Sequence, residues 1–306
     1  MEICGIEKLL AEHRNCVKEN GLSGNAVRPV FKNVDGFDVY NPTAPFLYAG
    51  VKHICARVEK RDSEESEAVF FAEEEKDIYA VDEKLPRFRL QDPCLTKIGS
   101  YYILGGTETF PHPENPKWIG WRTTFYYGEK LENMQVLVKG PLGMKDVRLV
   151  ELADGKIGVF TRPQGEKGGR GKIGFTIADD LSAVSAELMD NAPLLDLFLP
   201  LEWGGVNAVY PMKDGRLGVL GHIACFEPEE VRHYYPMAFC FNPKDRTYSQ
   251  PVMLAERREF LEGPSKREDL RDVLFSGGLF FEEDKTFLYV GVSDCEVQYM
   301  PIYNPF

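Results

Sequence analysis

The stretch Asp146-Val147-Arg148-Leu149-Val150-Glu151-Leu152-Ala153-Asp154-Gly155-Lys156-Ile157-Gly158-Val159-Phe160-Thr161-Arg162 reads as a β-hairpin with its chemistry at the open end. An apolar run climbs to Asp154-Gly155, a strong two-residue turn signal, and Ile157 to Phe160 returns as a second strand. An antiparallel hairpin sets the start of its first strand beside the end of its second, so Asp146 and Arg162 are expected to be neighbours at one sheet edge.

The same form recurs along the chain. Asn41, Asp92 and Asn207 open comparable strands; Gly50, Gly99 and Gly215 mark their turns; and seven residues beyond each glycine stand Arg57, Gly106 and His222. A fifth unit runs from Ser276 through Phe280, Asp284 and Leu288 to Asp294, without the glycine and ending in a carboxylate. One face is expected to collect these carboxylates and amides, with Arg57, Arg162 and His222 as cations converging on an anion. Further short strands, such as Glu67 to Ala72, Arg122 to Tyr127, Ile173 to Ile177 and Met237 to Phe241, bring each unit to about four strands, the size of a propeller blade. The expected fold is all-β, a five-bladed β-propeller over residues 28–306. An N-terminal helical segment over 1–27 precedes it, in which Ile6, Leu9, Leu10, His13 and Val17 follow helical spacing before Asn20-Gly21.

Composition narrows the function classes. At 306 residues and 43 % hydrophobic the chain can bury a large core. A formal net charge of −12 without a basic stripe argues against nucleic acid, so the basic residues of the motifs suit a small anion. No run approaches the roughly 18 apolar residues of a membrane span, and Met1-Glu2-Ile3-Cys4 does not begin a secretory leader, so a cytoplasmic protein is expected. Seven cysteines without a Cys-x-x-Cys pair fit a reducing compartment. Cys55 and Cys225 read as core residues, since no third group orients a Cys225–His222 pair. No zinc spacing occurs, and no metal is expected. Glu73 to Asp77 reads as a solvated loop. Gly165 to Gly171 departs from a P-loop, because Arg170 replaces its second glycine and Ile173 stands where Ser or Thr is needed; it reads as a mobile hairpin loop.

Asn41-Pro42, Ala56-Arg57-Val58-Glu59, Asp92-Pro93, Lys145-Asp146, Thr161-Arg162-Pro163, Gly221-His222, and Val273-Leu274-Phe275-Ser276-Gly277-Gly278 running to Gly291-Val292-Ser293-Asp294 occur in an order that resembles glycoside hydrolase family 130, over roughly residues 35 to 300. The chain looks closer still to the domain-of-unknown-function family 1861. The resemblance implies a five-bladed propeller and an inverting phosphorylase of β-mannosides. It implies Asp92 as the single catalytic acid, and Asn41 and Asp294 as grips on sugar hydroxyls. It implies Arg57, Arg162 and His222 as holders of phosphate, with Lys145 and Arg122 as helpers. Asp146 and Asn207, from the hairpin pattern, are expected beside the sugar, and Trp203, Tyr40 and Trp121 are candidate stacking surfaces. A small carbohydrate and inorganic phosphate are the expected ligands, without a cofactor. A phosphate nucleophile is already ionised, so cations can replace the second carboxylate that inversion with water needs. The family's usual Glu-Asp-Pro-Arg reads Gln91-Asp92-Pro93-Cys94 here. Two other readings stand beside the phosphorylase: a glycoside hydrolase using water, and a catalytically silent sugar-binding or scaffold propeller.

Overall fold

The computed structural model describes residues 3–20, 25–226 and 231–306. One helix, α1 (Ile6–Asn20), precedes strands that form four sheets, of six, four, three and seven strands, and the last of these joins two antiparallel units, so that five units follow in chain order. The first holds β1 (Val30–Lys32), β2 (Asp38–Tyr40), β3 (Phe46–Tyr48), β4 (Val51–Glu59), β5 (Glu67–Glu75) and β6 (Ile78–Val81). The second holds β7 (Gln91–Ile98), β8 (Tyr101–Pro111), β9 (Ile119–Gly128) and β10 (Gln135–Lys139). The third holds β11 (Arg148–Glu151), β12 (Ile157–Thr161) and β13 (Gly174–Ala178). The fourth holds β14 (Trp203–Pro211), β15 (Leu217–Phe226), β16 (Arg232–Phe241) and β17 (Val252–Met253), and the fifth β18 (Asp272–Glu282), β19 (Lys285–Val292) and β20 (Glu296–Ile302), with a short parallel pairing of β16 and β18 joining these two in one sheet. The architecture is all-β and propeller-like.

The turn glycines explain why the hairpins form where they do. Gly50, Gly99, Gly155 and Gly215 have φ of +80°, +56°, +81° and +84°, a left-handed backbone that glycine adopts without steric cost. A Cβ placed on Gly50, Gly99 or Gly155 would meet nothing, so conformation and not space demands glycine there. In the fifth unit Glu283 takes this role at φ +51°.

Five buried apolar clusters lie between consecutive units. The cluster between the first and second holds Phe70 and Leu104, that between the second and third Phe125 and Leu149, and that between the third and fourth Phe160 and Phe239. Leu220 and Leu288 share the cluster between the fourth and fifth, and Tyr289 and Phe71 that between the fifth and the first. Residues ahead of β2 reinforce that last junction: Val27 bridges Tyr299 of β20, while β1 pairs in parallel with β6. Each unit also lends its innermost strand or the loop beside it to one channel of about 210 Å³, through Thr43, Cys94, Arg148, Asn207 and Gly277.

Two local expectations change. The acidic run is not a loop as far as Glu75, because β5 continues through it and Glu73 pairs with Lys52 at 3.2 Å. Helix α1 docks as its spacing implies, with Ile6 and Leu9 in the core between the third and fourth units, but His13 leaves the apolar stripe to bond Glu259 at 2.7 Å. The helix stop assigned to Gly21 lies outside the described residues. No helix among the described residues is long and apolar enough to cross a membrane.

Leu9 is 1 % exposed. Leu9→Ala is expected to lower the unfolding free energy by about 2–5 kcal/mol in denaturant melts. Leu201→Ala, at a side chain 86 % exposed, is expected to stay within about 0.5 kcal/mol of the parent.

Candidate active site

Three of the polar openings and the carboxylate that ends the fifth unit share a backbone peculiarity. Asn41, Asp92, Asp146 and Asp294 have φ of +46°, +51°, +59° and +49°. This left-handed region is costly for most side chains and least so for Asn and Asp, which accounts for the residue types at these positions. Asp92 sits where the β7–β8 register shifts between Gln91 and Cys94, and Asn207 where β14–β15 shifts between Val206 and Ala208. Each bulge re-aims a side chain out of the pleat.

Asn41, Arg57, Asp92, Lys145, Asp146, Arg162, His222 and Asp294 all line one cavity of about 300 Å³. The hairpin geometry holds in detail. Arg162 Nη1 stands 3.2 Å from Asp146 Oδ2, and His222 Nδ1 is 2.8 Å from Asn207 Oδ1. The second hairpin closes on Gly106, which has no side chain to offer. Asp92 is served instead from the neighbouring unit, its Oδ1 accepting from Asn41 Nδ2 at 2.7 Å and Arg57 Nη1 at 3.2 Å. These two donors fix the carboxyl's orientation and leave Oδ2 for the cavity.

Arg57 is itself enclosed. Its guanidinium donates to Glu59 Oε2 at 2.8 Å and Ser66 Oγ at 2.9 Å, and lies 4.9 Å from the centre of the Tyr40 ring. Glu59 also accepts from Tyr40, Ser66 and Lys266. Burial pushes the Glu59 carboxyl up, but Arg57 and Lys266 prevail and hold it below its ordinary value. Arg162 donates through Nε to Gly204 O at 2.9 Å and through Nη2 to Arg170 O at 3.2 Å. The glycine-rich loop is therefore packed against the site. A Cβ on Gly171 would stand 2.5 Å from Arg162 Nε, so glycine makes room for this guanidinium.

His222 is not the third cation that its position suggested. Burial, and then the charge on Arg162, push its imidazolium down to about 3, with Lys145 and Arg148 adding to the effect against the pull of Asp146. The ring is neutral. With Asn207 Oδ1 facing Nδ1, the proton sits there and Nε2 is left as an acceptor. For Asp146, burial works upward, yet Arg162, Lys145 and Arg148 together keep it ionised, at about 2. Among the described residues, Asn41 Oδ1, Asn207 Nδ2 and His222 Nε2 are buried without a hydrogen-bond partner. Asp146 Oδ2 and Arg162 Nη1 are within ion-pair distance but misaligned, so neither completes a hydrogen bond with the other. These are the atoms a hydroxyl-rich or anionic ligand would satisfy.

Three expected site residues stand elsewhere. Arg122 faces away from the cavity, paired with Glu108 at 2.8 Å and stacked 4.5 Å from Phe110. Trp203 is 4 % exposed, packs against Phe226 and donates to Tyr234 Oη at 3.1 Å, so its indole is core and no sugar platform. Asn207 reaches the cavity only through His222 and lines the narrower channel. Of the other aromatic candidates, Tyr40 is fully buried, and Trp121 lines a separate, larger cavity of about 1020 Å³ that shares Glu64, Gln91 and Lys145 with the site. The sequence reading missed Glu64, Arg232, Lys266 and Arg267 on the cavity wall. Lys266 and Arg267 belong to a long connection without strand periodicity, and only the need of buried Glu59 for a second cation pointed to them.

The all-β, propeller-like body that carries these carboxylates and guanidiniums in one cavity has the fold of the glycoside hydrolase family 130 structures. The chain belongs to the family described as a protein of unknown function, DUF1861, whose model matches residues 18–306. A mannose phosphorylase from Leishmania mexicana, MPT-4, solved in complex with phosphate ion, is 32 % identical, with 97 % of this chain and 93 % of that one covered and a TM-score of 0.89. MPT-1 from the same organism, a GDP-Man-dependent mannosyltransferase, is 31 % identical over 99 % and 96 % of the two chains, with a TM-score of 0.87. The β-1,2-mannobiose phosphorylase of Listeria innocua shares the fold at 17 % identity, 94 % and 95 % coverage and a TM-score of 0.64. No curated protein matches.

Stability should record the neutral His222. Its value in the fold lies below that of the free side chain, so the unfolded chain takes up a proton that the native one refuses. Stability is complete above about 6.5 and falls as pH drops toward 3, by about 1.4 kcal/mol per pH unit for one proton. Asp146 extends the loss from 3.8 toward about 2. Denaturant melts between neutral and mildly acid pH are expected to show a shallower slope for His222→Asn than for the parent. A second outcome concerns Gly291, where a Cβ would stand 1.8 Å from Asn41 Oδ1. Gly291→Ala is expected to displace Asn41 from Asp92 and to weaken ligand binding in calorimetry more than it lowers the melting temperature.

Proposed function

We propose that this chain is an inverting phosphorylase of β-mannosides or related glycosides, built as a five-bladed β-propeller over residues 28–306 behind a helical segment at 1–27. Asp92 is the general acid that protonates the leaving oxygen. Asn41 and Asp294 hold glycone hydroxyls, and Asp146 and Asn207 orient Arg162 and His222. Arg57, Arg162 and Lys145 supply charge to the phosphate, and neutral His222 accepts from it through Nε2. No cofactor is required; inorganic phosphate is the co-substrate.

The observation that carries this reading is the charge of the cavity wall. Arg57, Lys145, Arg162, Arg232, Lys266 and Arg267 face four carboxylates, Glu64, Asp92, Asp146 and Asp294, in a protein whose formal net charge is −12. An excess of cations gathered against that background suits an anionic nucleophile better than water. The relative that holds phosphate lends further support. A mannosyl transfer from GDP-mannose is the second reading, favoured by the 31 % identical mannosyltransferase. The wide cavity that adjoins the site through Lys145 and Gln91 has room for a nucleotide.

The test is release of a sugar 1-phosphate from β-mannobiose and related disaccharides, with and without phosphate. Phosphate-dependent turnover is expected, falling on the order of 10²–10⁴-fold in Asp92→Asn while sugar binding persists. Arg162→Ala is expected to raise the KM for phosphate more than that for the sugar. Turnover without phosphate would assign a hydrolase, turnover only with GDP-mannose the transferase, and sugar binding without any turnover a silent propeller.

A further inference from the structure

Two of the cavity's four carboxylates, Asp92 and Asp294, are held in opposite ways. Asp92 accepts two hydrogen bonds on one oxygen, one of them from a guanidinium. Asp294 lines the same cavity and, among the described residues, accepts none. A general acid must begin the reaction with a proton, and of these two carboxyls Asp294 is the one that no donor among the described residues occupies.

The fold fixes Asp294 with some care. Ser293 and Asp294 are both left-handed, at φ +54° and +49°, and two consecutive non-glycine residues in that region persist only where their surroundings hold them. Ser293 is 1 % exposed and bonded on every side. Its N–H donates to Val273 O at 2.8 Å and its Oγ to Arg271 O at 2.8 Å. Its carbonyl accepts from Lys266 N at 3.0 Å and its Oγ from Arg257 Nε at 3.3 Å. The result is to present a carboxyl group without a hydrogen-bond donor to the cavity that holds Asp92.

We propose that Asp294 is a second catalytic residue, the group on which the site's proton rests before it passes through Asp92 to the leaving oxygen. This rests on the phosphorylase reading above. In the reaction the glycosidic C–O bond breaks and a bond forms between the anomeric carbon and an oxygen of hydrogen phosphate. The proton from the Asp294–Asp92 pair goes to the leaving oxygen. The proton of hydrogen phosphate, now on the sugar phosphate monoanion, returns to the pair and restores it. The charged and titratable groups about Asp294 are Asp92, Arg57, Tyr40, Lys145, Lys266 and Arg267. Burial, followed by the Asp92 charge, pushes its carboxyl up, and Arg57, Lys145 and Lys266 oppose without cancelling this.

The experiment compares Asp294→Asn with the parent on β-mannobiose and on 2,4-dinitrophenyl β-mannoside, whose leaving group needs no proton. The variant is expected to lose on the order of 10²-fold or more on the disaccharide. Its loss on the aryl mannoside, where only the grip on the glycone counts, is expected to be at least about 10-fold smaller, and the alkaline limb of the kcat/KM profile should disappear. An equal loss on both substrates, with a raised KM and an unchanged alkaline limb, would reduce Asp294 to a sugar grip and overturn the proposal. If Asp294→Asn does not fold, Asp294→Ser carries the same comparison. An infrared titration separates this result from failure of the phosphorylase reading. A protonated-carboxyl band persisting above the ordinary carboxylate range in the parent and in Asp92→Asn, and lost in Asp294→Asn, supports the proposal even where no substrate turns over. Absence of that band in the parent overturns it.

Discussion

Arg57 is the point at which the buried charges of this molecule are reconciled. A guanidinium 5 % exposed is tolerated only if anions meet it, and Glu59 from its own strand and Asp92 from the next unit do so. Glu59 is in turn 1 % exposed and draws in Lys266 from the far end of the chain. One ion thus ties the first unit to the second and to the connection ahead of the fifth. Without it Asp92 would lose its cation and Glu59 would be left with Lys266 alone, a loss of several kcal/mol in comparable buried pairs. The arrangement that aims the Asp92 carboxyl is also one that holds these units together.

Local chemistry made the hairpins legible. Asp154-Gly155 and Asp214-Gly215 reveal their turns because a left-handed backbone selects the residue, and strand register then carries Asp146 to Arg162 and Asn207 to His222 without any long-range information. The partner of Asp92 was not legible in this way. Its own hairpin closes on Gly106, so its cation comes across a unit boundary, and no spacing within one hairpin reports such a contact. Arg122 misled for a related reason: nothing in its neighbourhood in sequence shows that Glu108 lies directly opposite on β8. Trp203 begins β14 and Phe226 ends β15, and antiparallel pairing, with Trp203 opposite Ala224, brings both rings to the same end of the sheet and makes the indole part of the packing. The charge of His222 depends on burial and on Arg162, Lys145 and Arg148, all from the third unit and the approach to it, so only the assembled cavity reveals that it is neutral.

The polar openings show how one residue type can satisfy two demands. Asn41, Asp92, Asp146 and Asp294 adopt a backbone that favours Asn and Asp, and a fold needing four such corners would select them with no reaction in view. Exposed corners would have sufficed for that. Here Asn41, Asp92 and Asp146 are each no more than 6 % exposed and face cations or amides, an expensive placement that corner geometry does not require. Conformation explains the residue type, and burial against charge is what marks a site.

The electrostatics of the cation-rich side bear on which nucleophile it can use. Water attacking an anomeric carbon with inversion must lose a proton to a base on its own side. Lys145, Asp146, Arg162 and His222 gather on one side, and the groups there that could accept that proton are Asp146, held at about 2, and His222, held at about 3. Both are weak bases at neutral pH, and what weakens them is largely the charge of Arg162, Lys145 and Arg148, added for His222 to burial. The same charges that would hold a phosphate therefore strip the site of the basicity that water would need. A phosphate dianion arrives already ionised and requires only to be held. In a cavity where cations outnumber carboxylates, attraction for the anion and suppression of the base are one effect, and changing the nucleophile to water would take the loss of a cation as well as the gain of a carboxylate.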